Sequence, residues 1–565
     1  MKHWMKRRIP VILALLLILG TFGPATVVSE AAGGVRTTIP TFKVTLNGTV
    51  IQNDYSQYPL IVYKDITYFP MTYFDCRFLS VETNWLGNQK GLFIDKSEVR
   101  GAYTPYTQAN KNSRANTASL VTFPVTINGK VINNKKEPYP LLSFRNVTYF
   151  PMTWRFCVDE LGWEYSYDSK NGLVIRSSDR AVTTYSELPE KKGTQGFRNQ
   201  VTFDGDNAYY MDTKGRIIRM PMSKLSGRKA SPGDGAVMYQ VPDNFYSQSV
   251  CVPVFYERNG RQYLWFNTGG GVMGSRYRVE MSPESFTVRQ AGQSEYFDFG
   301  DGNVFEFWSG GAPSAANLTW TNGAGDEREI GDPKYIYGWD WTADEYSSGG
   351  SGTDSLYFDG DHFVYTLAFD MTGRWENNSE YFSHRSGVVR IDLRDDQTEM
   401  LSPKECRVSG FEEENGILYY SAGETVYMID TKTGVQEVYS QCGRAFDEIA
   451  VLGGVVYGVC GKDETKEVSD AVLYRVGRDG STNLVQDVQR WTAMAVKSDK
   501  AGSAKYLVIT CKDGAGAPYH LVVLNEAGRT VLKNSDVTTA DNTAVKNGRI
   551  YYFNHTTNRP CSTEL

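Results

Sequence analysis

The sequence predicts a mainly β chain: two small modules, each a β-sheet with one helix, followed by a β-propeller of about seven blades. Three observations carry this expectation. Aromatic residues reach 13%, with 36 Tyr and 54 Gly among 565 residues, the bias that Tyr-rich strands joined by Gly turns produce. The stretch 40–178 repeats itself at an offset of 81 residues. Beyond about residue 198, short strands rich in Tyr and β-branched residues recur every 40 to 50 residues without helical stretches, the rhythm of four-stranded blades.

Taken in order, the N-terminus reads as a cleaved signal peptide over 1–31. Lys2, Lys6, Arg7 and Arg8 precede the apolar run Val11 to Leu19, and small residues follow around Ser29–Ala31. That run is too short to span a bilayer comfortably. Cleavage takes the formal charge from −6 to −9. A mildly acidic protein lacks the basic footprint that nucleic acid requires. An exported, cell-envelope or extracellular location is therefore expected, with no transmembrane segment after cleavage.

Module 1 (38–97) reads Val44-Thr-Leu-Asn-Gly-Thr-Val-Ile51, Tyr58-Pro-Leu-Ile-Val, and Ile66-Thr-Tyr-Phe-Pro-Met-Thr72. Module 2 (120–176) answers with Val125-Thr-Ile-Asn-Gly-Lys-Val-Ile132, Tyr139-Pro-Leu-Leu, and Val147-Thr-Tyr-Phe-Pro-Met-Thr153. Asn47-Gly48 and Asn128-Gly129 are expected to be two-residue hairpin turns with positive φ at both positions. Lys64-Asp65 and Arg145-Asn146 separate further strand pairs. After Pro70 and Pro151, each suited to a helix start, the spacing turns helical. Met71, Phe74 and Phe78 share one face, as do Trp154, Val158 and Leu161. Closing hairpins turn at Asn88-Gln-Lys-Gly91 and Ser169-Lys-Asn-Gly172. Residues 98–119 and 177–197, polar and turn-rich, read as linkers.

This pattern, covering about a quarter of the chain, resembles the copper amine oxidase N-terminal-like (stalk) domain of exported Firmicutes proteins, often found in tandem. The likeness implies a spacing or anchoring role and no oxidase chemistry. Met71-Thr-Tyr-Phe and Met152-Thr-Trp-Arg depart from the Leu-Arg-Phe-type helix start usual in that family. The five histidines contain no His-x-His and no Asn-Tyr dipeptide occurs, so neither the copper ligands nor the quinone precursor of an amine oxidase is present.

The propeller is expected over 198–565. Its strand themes include Asp204-Gly-Asp-Asn-Ala-Tyr-Tyr210, Asn415-Gly-Ile-Leu-Tyr-Tyr420, Gly454-Val-Val-Tyr457 and Asn547-Gly-Arg-Ile-Tyr-Tyr552. The last of these is expected to complete a blade begun near residue 200 and so close the ring; eight blades or an open arrangement are the alternatives. The rhythm resembles YWTD-type bacterial propellers, although no Tyr-Trp-Thr-Asp box is present.

The densest aromatic cluster is Tyr335 to Tyr346. Trp339 and Trp341, with Asp340 and Asp344, form the candidate ligand-binding platform, since aromatic faces stack on sugars and carboxylates accept hydroxyl protons; packing between blades is the competing explanation. Asp204-Gly-Asp206 and Asp359-Gly-Asp361 lack the further oxygens of a calcium loop and read as turns. The eight cysteines contain no C-x-x-C. Cys460 and Cys511 occupy like points of successive repeats, and Cys76 and Cys157 like points of the modules; all four read as core residues. Gly349-Gly-Ser351-Gly-Thr353 is not a nucleophile elbow, and no motif pairs His362 or His384 with a nucleophile. The expectation is a non-enzymatic binding or scaffold protein with no catalytic residues, metal or cofactor. Its partner would be a cell-wall glycan or another envelope protein. The alternative is a propeller enzyme acting on polysaccharide or peptide.

Overall fold

The computed structural model describes residues 34–192, 201–241 and 253–565. Within these, breaks fall at 98, 102, 178–179, 259–260, 269–274, 282–285, 293, 309–316, 344–347, 353–354, 371–386, 404–407, 464–465, 467, 513, 515–518 and 538–539. The signal-peptide segment, Asp344, His384, Cys251 and Cys406 lie outside the described residues. The chain is mainly β. It divides into two compact units, Met1–Lys96 with Tyr103–Ser178, and Ser97–Ala102 with Asp179–Leu565.

In the first unit the two copies are interleaved instead of standing as separate modules. A closed six-stranded barrel takes three strands from each copy: Val35–Thr38, Ile61–Tyr63, Ile66–Pro70, Val147–Pro151, Leu142–Phe144 and Ala115–Leu120. Its seam is Ile66–Pro70 against Val147–Pro151, where Phe69 faces Phe150, the same position of the two copies. Two four-stranded sheets exchange partners in the same way. The closing strand Leu92–Lys96 of the first copy runs parallel to Val125–Ile127 of the second. Gly172–Arg176 of the second runs parallel to Val44–Leu46 of the first.

This arrangement corrects two expectations. Ala115–Leu120, placed in the 98–119 linker, is a barrel strand bonded to Val35–Thr38. Its polar look follows from outward-facing side chains, with Ala118 the residue turned into the core. Pro70 and Pro151 end strands, and Thr72 starts the helix Tyr73–Phe78 by accepting the Asp75 amide on its hydroxyl. The second helix, Arg155–Glu160, winds as a π-helix. Its wider turn leaves Trp154 exposed and gives the inward places to Phe156 and Cys157.

Alternation along the strands divides the apolar residues between two cores. Tyr68, Tyr149, Ile61, Leu142 and Phe144 fill the barrel. Phe69, Phe150, Cys76, Cys157 and Trp163 fill a single core shared by both copies. All four hairpin pairs hold positive φ at both positions: Asn47 and Gly48 at 45° and 83°, Lys64 and Asp65 at 50° and 61°, with their counterparts alike. Asn47 does more than turn. Its Nδ2 donates to the Phe78 carbonyl (2.6 Å) and its Oδ1 accepts the Ser177 amide (2.8 Å), stapling its own helix to the other copy's closing strand. Asn128 repeats this with Glu160 and Lys96.

The second unit is a succession of antiparallel meanders. Eight are present among the described residues, where about seven were expected: 201–240, 254–292, 294–329, 335–400, 408–441, 448–489, 491–537, and 544–564 completed by Thr183–Thr184. The fourth carries an additional strand, Leu356–Phe358. The seventh and eighth join through one residue pair, Val537 with Asn554. Thr183–Thr184 was read as linker because both residues are polar. They are the exposed outer strand of the eighth sheet, paired with Ser562 and Cys561.

Apolar side chains join neighbouring sheets face to face. Tyr209 and Met211 of the first meet Leu264 and Phe266 of the second. Phe305 and Phe307 of the third meet Val364 of the fourth, whose Tyr365 packs with Tyr420 of the fifth. Tyr419 reaches Val451 of the sixth, Leu473 reaches Leu507 of the seventh, and Val508 reaches Tyr552 of the eighth. Phe553 of the eighth then packs with Val201 and Tyr210 of the first. Tyrosine suits these places because its ring is buried while its hydroxyl finds backbone nearby, as Tyr365 does at the Thr431 carbonyl (2.9 Å).

Candidate functional site

The expected aromatic platform falls on a two-stranded hairpin, Trp339–Ala343 with Ser348–Gly352, inserted in the fourth sheet. Trp339 and Trp341 occupy alternate backbone positions, with Asp340 between them. Their cross-strand backbone partners are Gly352 and Gly350.

A second group of polar side chains lies where the first strands of successive sheets meet. Val408–Glu414 of the fifth sheet runs beside Glu448–Leu452 of the sixth. Gly410 permits the approach: its φ is +72°, and a Cβ there would come within 2.2 Å of the Ile449 side chain. The pairing register slips between Ser409 and Glu412 at this point. Such a bulge re-aims the residues that follow it.

Glu414 then binds the Gly454 and Gly453 amides (2.6 and 3.1 Å) and the Lys505 ammonium (3.0 Å), linking three sheets. Burial alone would raise its carboxyl, and these donors together outweigh burial and hold it below the ordinary glutamate value. Glu412 has the opposite environment. Burial, then the neighbouring Glu448 charge, push its carboxyl up to about 8.

The sign of the resulting pH dependence follows from linkage. An acid raised from 4.5 to about 8 on folding stabilises fully below 4.5 and loses that contribution as pH rises toward 8. The unfolding temperature of the second unit is therefore expected to fall across that interval. Glu412→Gln, neutral throughout, should flatten the fall, which differential scanning calorimetry of both proteins checks. An equal slope in the two would contradict the assignment.

The other sequence candidates are accounted for locally. Asp204 Oδ1 accepts the Asp206 and Asn207 amides (2.8 and 2.7 Å), while Oδ2 takes the Tyr209 hydroxyl (2.6 Å). Asp359 Oδ1 likewise takes the amides of Asp361, His362 and Phe363. Both are turns whose side chains bind their own backbone. His362 pairs with the adjacent Asp361 (2.8 Å) and lies against Phe363. Cys76, Cys157, Cys442, Cys460, Cys511 and Cys561 are not joined in disulfides. Among the described residues, no group of three or more His, Cys, Asp or Glu is placed to hold a metal ion, and no helix is long and apolar enough to cross a membrane.

No family model matches the chain, and no curated protein matches it. Similar solved structures include a computationally designed protein, Ika8, at 13% identity and TM-score 0.37, spanning 67% of this chain and all of that one. Dipeptidyl peptidase 4 of Porphyromonas gingivalis is 12% identical over 64% of this chain and 59% of its own, with TM-score 0.37. Apo AztD of Citrobacter koseri is 10% identical over 64% and 93%, with TM-score 0.35. Similarities this low assign neither fold nor activity.

Proposed function

We propose that the chain is an exported, non-enzymatic binding or scaffold protein, whose second unit is an eight-bladed propeller and whose first unit spaces or anchors it. The reading of the second unit is carried by its last sheet. That sheet bonds to Thr183–Thr184 from the start of the unit and packs Phe553 against Val201 of the first sheet. A series of sheets whose last meets its first leaves only short outer edges, such as Thr183–Thr184. It presents first-strand residues such as Glu412 toward one axis, where a ligand can be held by groups from several sheets.

The duplicated Asn-Gly and Thr-Tyr-Phe-Pro-Met-Thr motifs, with their resemblance to stalk domains, support the spacing role. The partner in this reading is a cell-wall glycan or another envelope protein. The alternative, a propeller enzyme acting on polysaccharide or peptide, is favoured by one observation: the raised Glu412 beside Glu448 suits a general acid.

Incubating the protein with purified cell-wall and envelope fractions separates the two. Retention by one fraction, with no change in that fraction's composition, is the expected result. Retention by none overturns the binding role. Cleavage of a glycan or peptide that Glu412→Gln abolishes replaces it with the enzyme.

A further inference from the structure

The duplication of the first unit leaves two aromatic pairs at its surface, each built from both copies. Trp85 ends the strand Val81–Trp85 of the first copy and meets Phe123, which leads into the second copy, with ring centroids 4.7 Å apart and planes at 77°. Tyr167, in the strand Glu164–Asp168 of the second copy, meets Phe42, which leads into the first, at 5.4 Å and 83°. Phe42 and Phe123 stand 81 residues apart, the offset of the repeat. Trp85 and Tyr167 stand 82 apart, because the second hairpin is one residue shorter. The pairing nevertheless brings them to the same place, Trp85 opposite Leu92 and Tyr167 opposite Leu173.

Phe42 and Phe123 pack on the core that the copies share. Trp85 and Tyr167 lie outside it and are 49% and 46% exposed. One large ring in water is ordinary on any protein surface. Here the exposed ring recurs at the matching point of the second sheet, in a different aromatic type and across a shift in the spacing of the repeat. With about half of each outer ring in water, burial within the chain accounts for only part of its presence.

Charge separates the two units. Over 34–96 and 103–178 there are 15 Lys and Arg against 10 Asp and Glu, whereas 97–102 and 179–565 hold 40 against 54. The formal charge of −9 expected after cleavage is therefore divided into +5 on the first unit and −14 on the second. Exposed lysines flank the aromatic pairs. Lys43 follows Phe42, Lys90 ends the short helix after Trp85, and Lys170 lies in the turn after Tyr167. Asp168, beside Tyr167, holds its carboxylate on the Lys170 and Asn171 amides (2.9 and 2.7 Å). A net positive surface draws an anionic partner.

We propose that the first unit binds an anionic polysaccharide, with one sugar ring stacked on Trp85, another on Tyr167, and the acidic groups of the polymer beside Lys43, Lys90 and Lys170. A sugar presents a face of C–H groups that an aromatic ring can cover while the hydroxyls stay in water, which suits rings that are half exposed. Two equal sites suit a ligand that repeats. This site rests on the exported binding role proposed above and places the glycan on the first unit.

Equilibrium binding of the full chain to dextran sulfate, dextran and polyphosphate tests the site, since these polymers carry sugar with charge, sugar alone and charge alone. Dextran sulfate is expected to bind tightest. Trp85→Ala and Tyr167→Ala should each weaken it roughly tenfold, and the double variant should bind it no better than polyphosphate, as loss of one and then both of two linked sites implies. Trp85→Tyr should retain binding. Val131→Ala, which trims a side chain 75% exposed elsewhere on the unit, should leave binding unchanged. Circular dichroism of the double variant should match the wild type, because both rings lie outside the core. Dextran sulfate bound no tighter than polyphosphate, binding indifferent to the double variant, or an equal loss in Val131→Ala would each overturn the proposal. Purified cell wall separates this site from the broader reading. Wall that retains the wild type and the double variant equally removes the aromatic sites and keeps the binding role, whereas wall and envelope fractions that retain neither remove the binding role itself.

Discussion

Removal of residues 559–565 is expected to unfold the second unit, far beyond what trimming a terminus ordinarily does. Arg559–Glu564 is an inner strand of the eighth sheet. It pairs with Arg549–Asn554 along its whole length on one side and with Thr183–Thr184 on the other. Pro560, Cys561, Ser562 and Thr563 are all buried. Its loss strips the cover from Ile550 and Tyr552, both 0% exposed, and strands two rows of backbone donors and acceptors. Each orphaned buried group costs about 1–3 kcal/mol. A handful of them matches the entire stability of a typical domain, about 5–15 kcal/mol. Circular dichroism and limited proteolysis of the truncated chain should show loss of the cooperative transition and of protease resistance in 201–558. A chain ending at Glu564 serves as the control and should behave as wild type.

The second large effect concerns the interleaved unit. Gly91 and Gly172 lie where each copy's closing strand crosses onto the other copy. Their φ values are +84° and +71°, and a Cβ would come within 1.8 Å of the Pro124 carbonyl oxygen or 1.9 Å of that of Lys43. Those oxygens already accept the Leu92 and Leu173 amides at 3.0 and 2.9 Å. Gly91→Ala or Gly172→Ala therefore adds a backbone collision to left-handed strain. Gly48→Ala and Gly129→Ala, also at positive φ, meet nothing within 4 Å. Strain alone costs roughly 1–2 kcal/mol, and overpacking adds about 1–3 kcal/mol. Urea unfolding of the four variants should place the first two well below the second two. Equal losses in all four would remove the crossing from the account.

The Asn-Gly hairpins were legible in the sequence because that dipeptide between alternating strands favours positive φ at both positions, whereas Lys64-Asp65 and Arg145-Asn146 were legible only as breaks between strand-like runs. Which strand pairs with which was not. Val44–Leu46 and Val125–Ile127 carry nearly the same residues, so each closing strand finds an equally suitable edge in its own copy and in the other. Nothing local distinguishes an intramodule sheet from an exchanged one. Exchange also turned Ala115–Leu120 from apparent linker into barrel wall.

Thr183–Thr184 escaped notice for a related reason. An outer strand with both side chains in solvent has the composition of a loop. Dividing the span by the repeat length gave about seven sheets because the eighth supplies only 544–564 and takes its outer strand, Thr183–Thr184, from the segment read as linker. The pair Glu412 and Glu448 could have been suspected from Phe411-Glu-Glu-Glu414, an acidic run at the end of a strand whose neighbours are apolar. Its partner lies 36 residues away on another sheet, a distance that no motif bridges.

Cross-linking across the Thr183–Thr184 pairing tests the closure of the second unit most directly. Thr184 lies opposite Cys561, with its hydroxyl 3.9 Å from the Cys561 sulfur. Directly opposed antiparallel residues have the Cα separation that a disulfide accepts. Thr184→Cys, oxidised with a small disulfide and digested without reduction, is predicted to yield one peptide pair joining 184 to 561. Recovery of both thiols unlinked from a chain that retains its wild-type unfolding transition would contradict the closure.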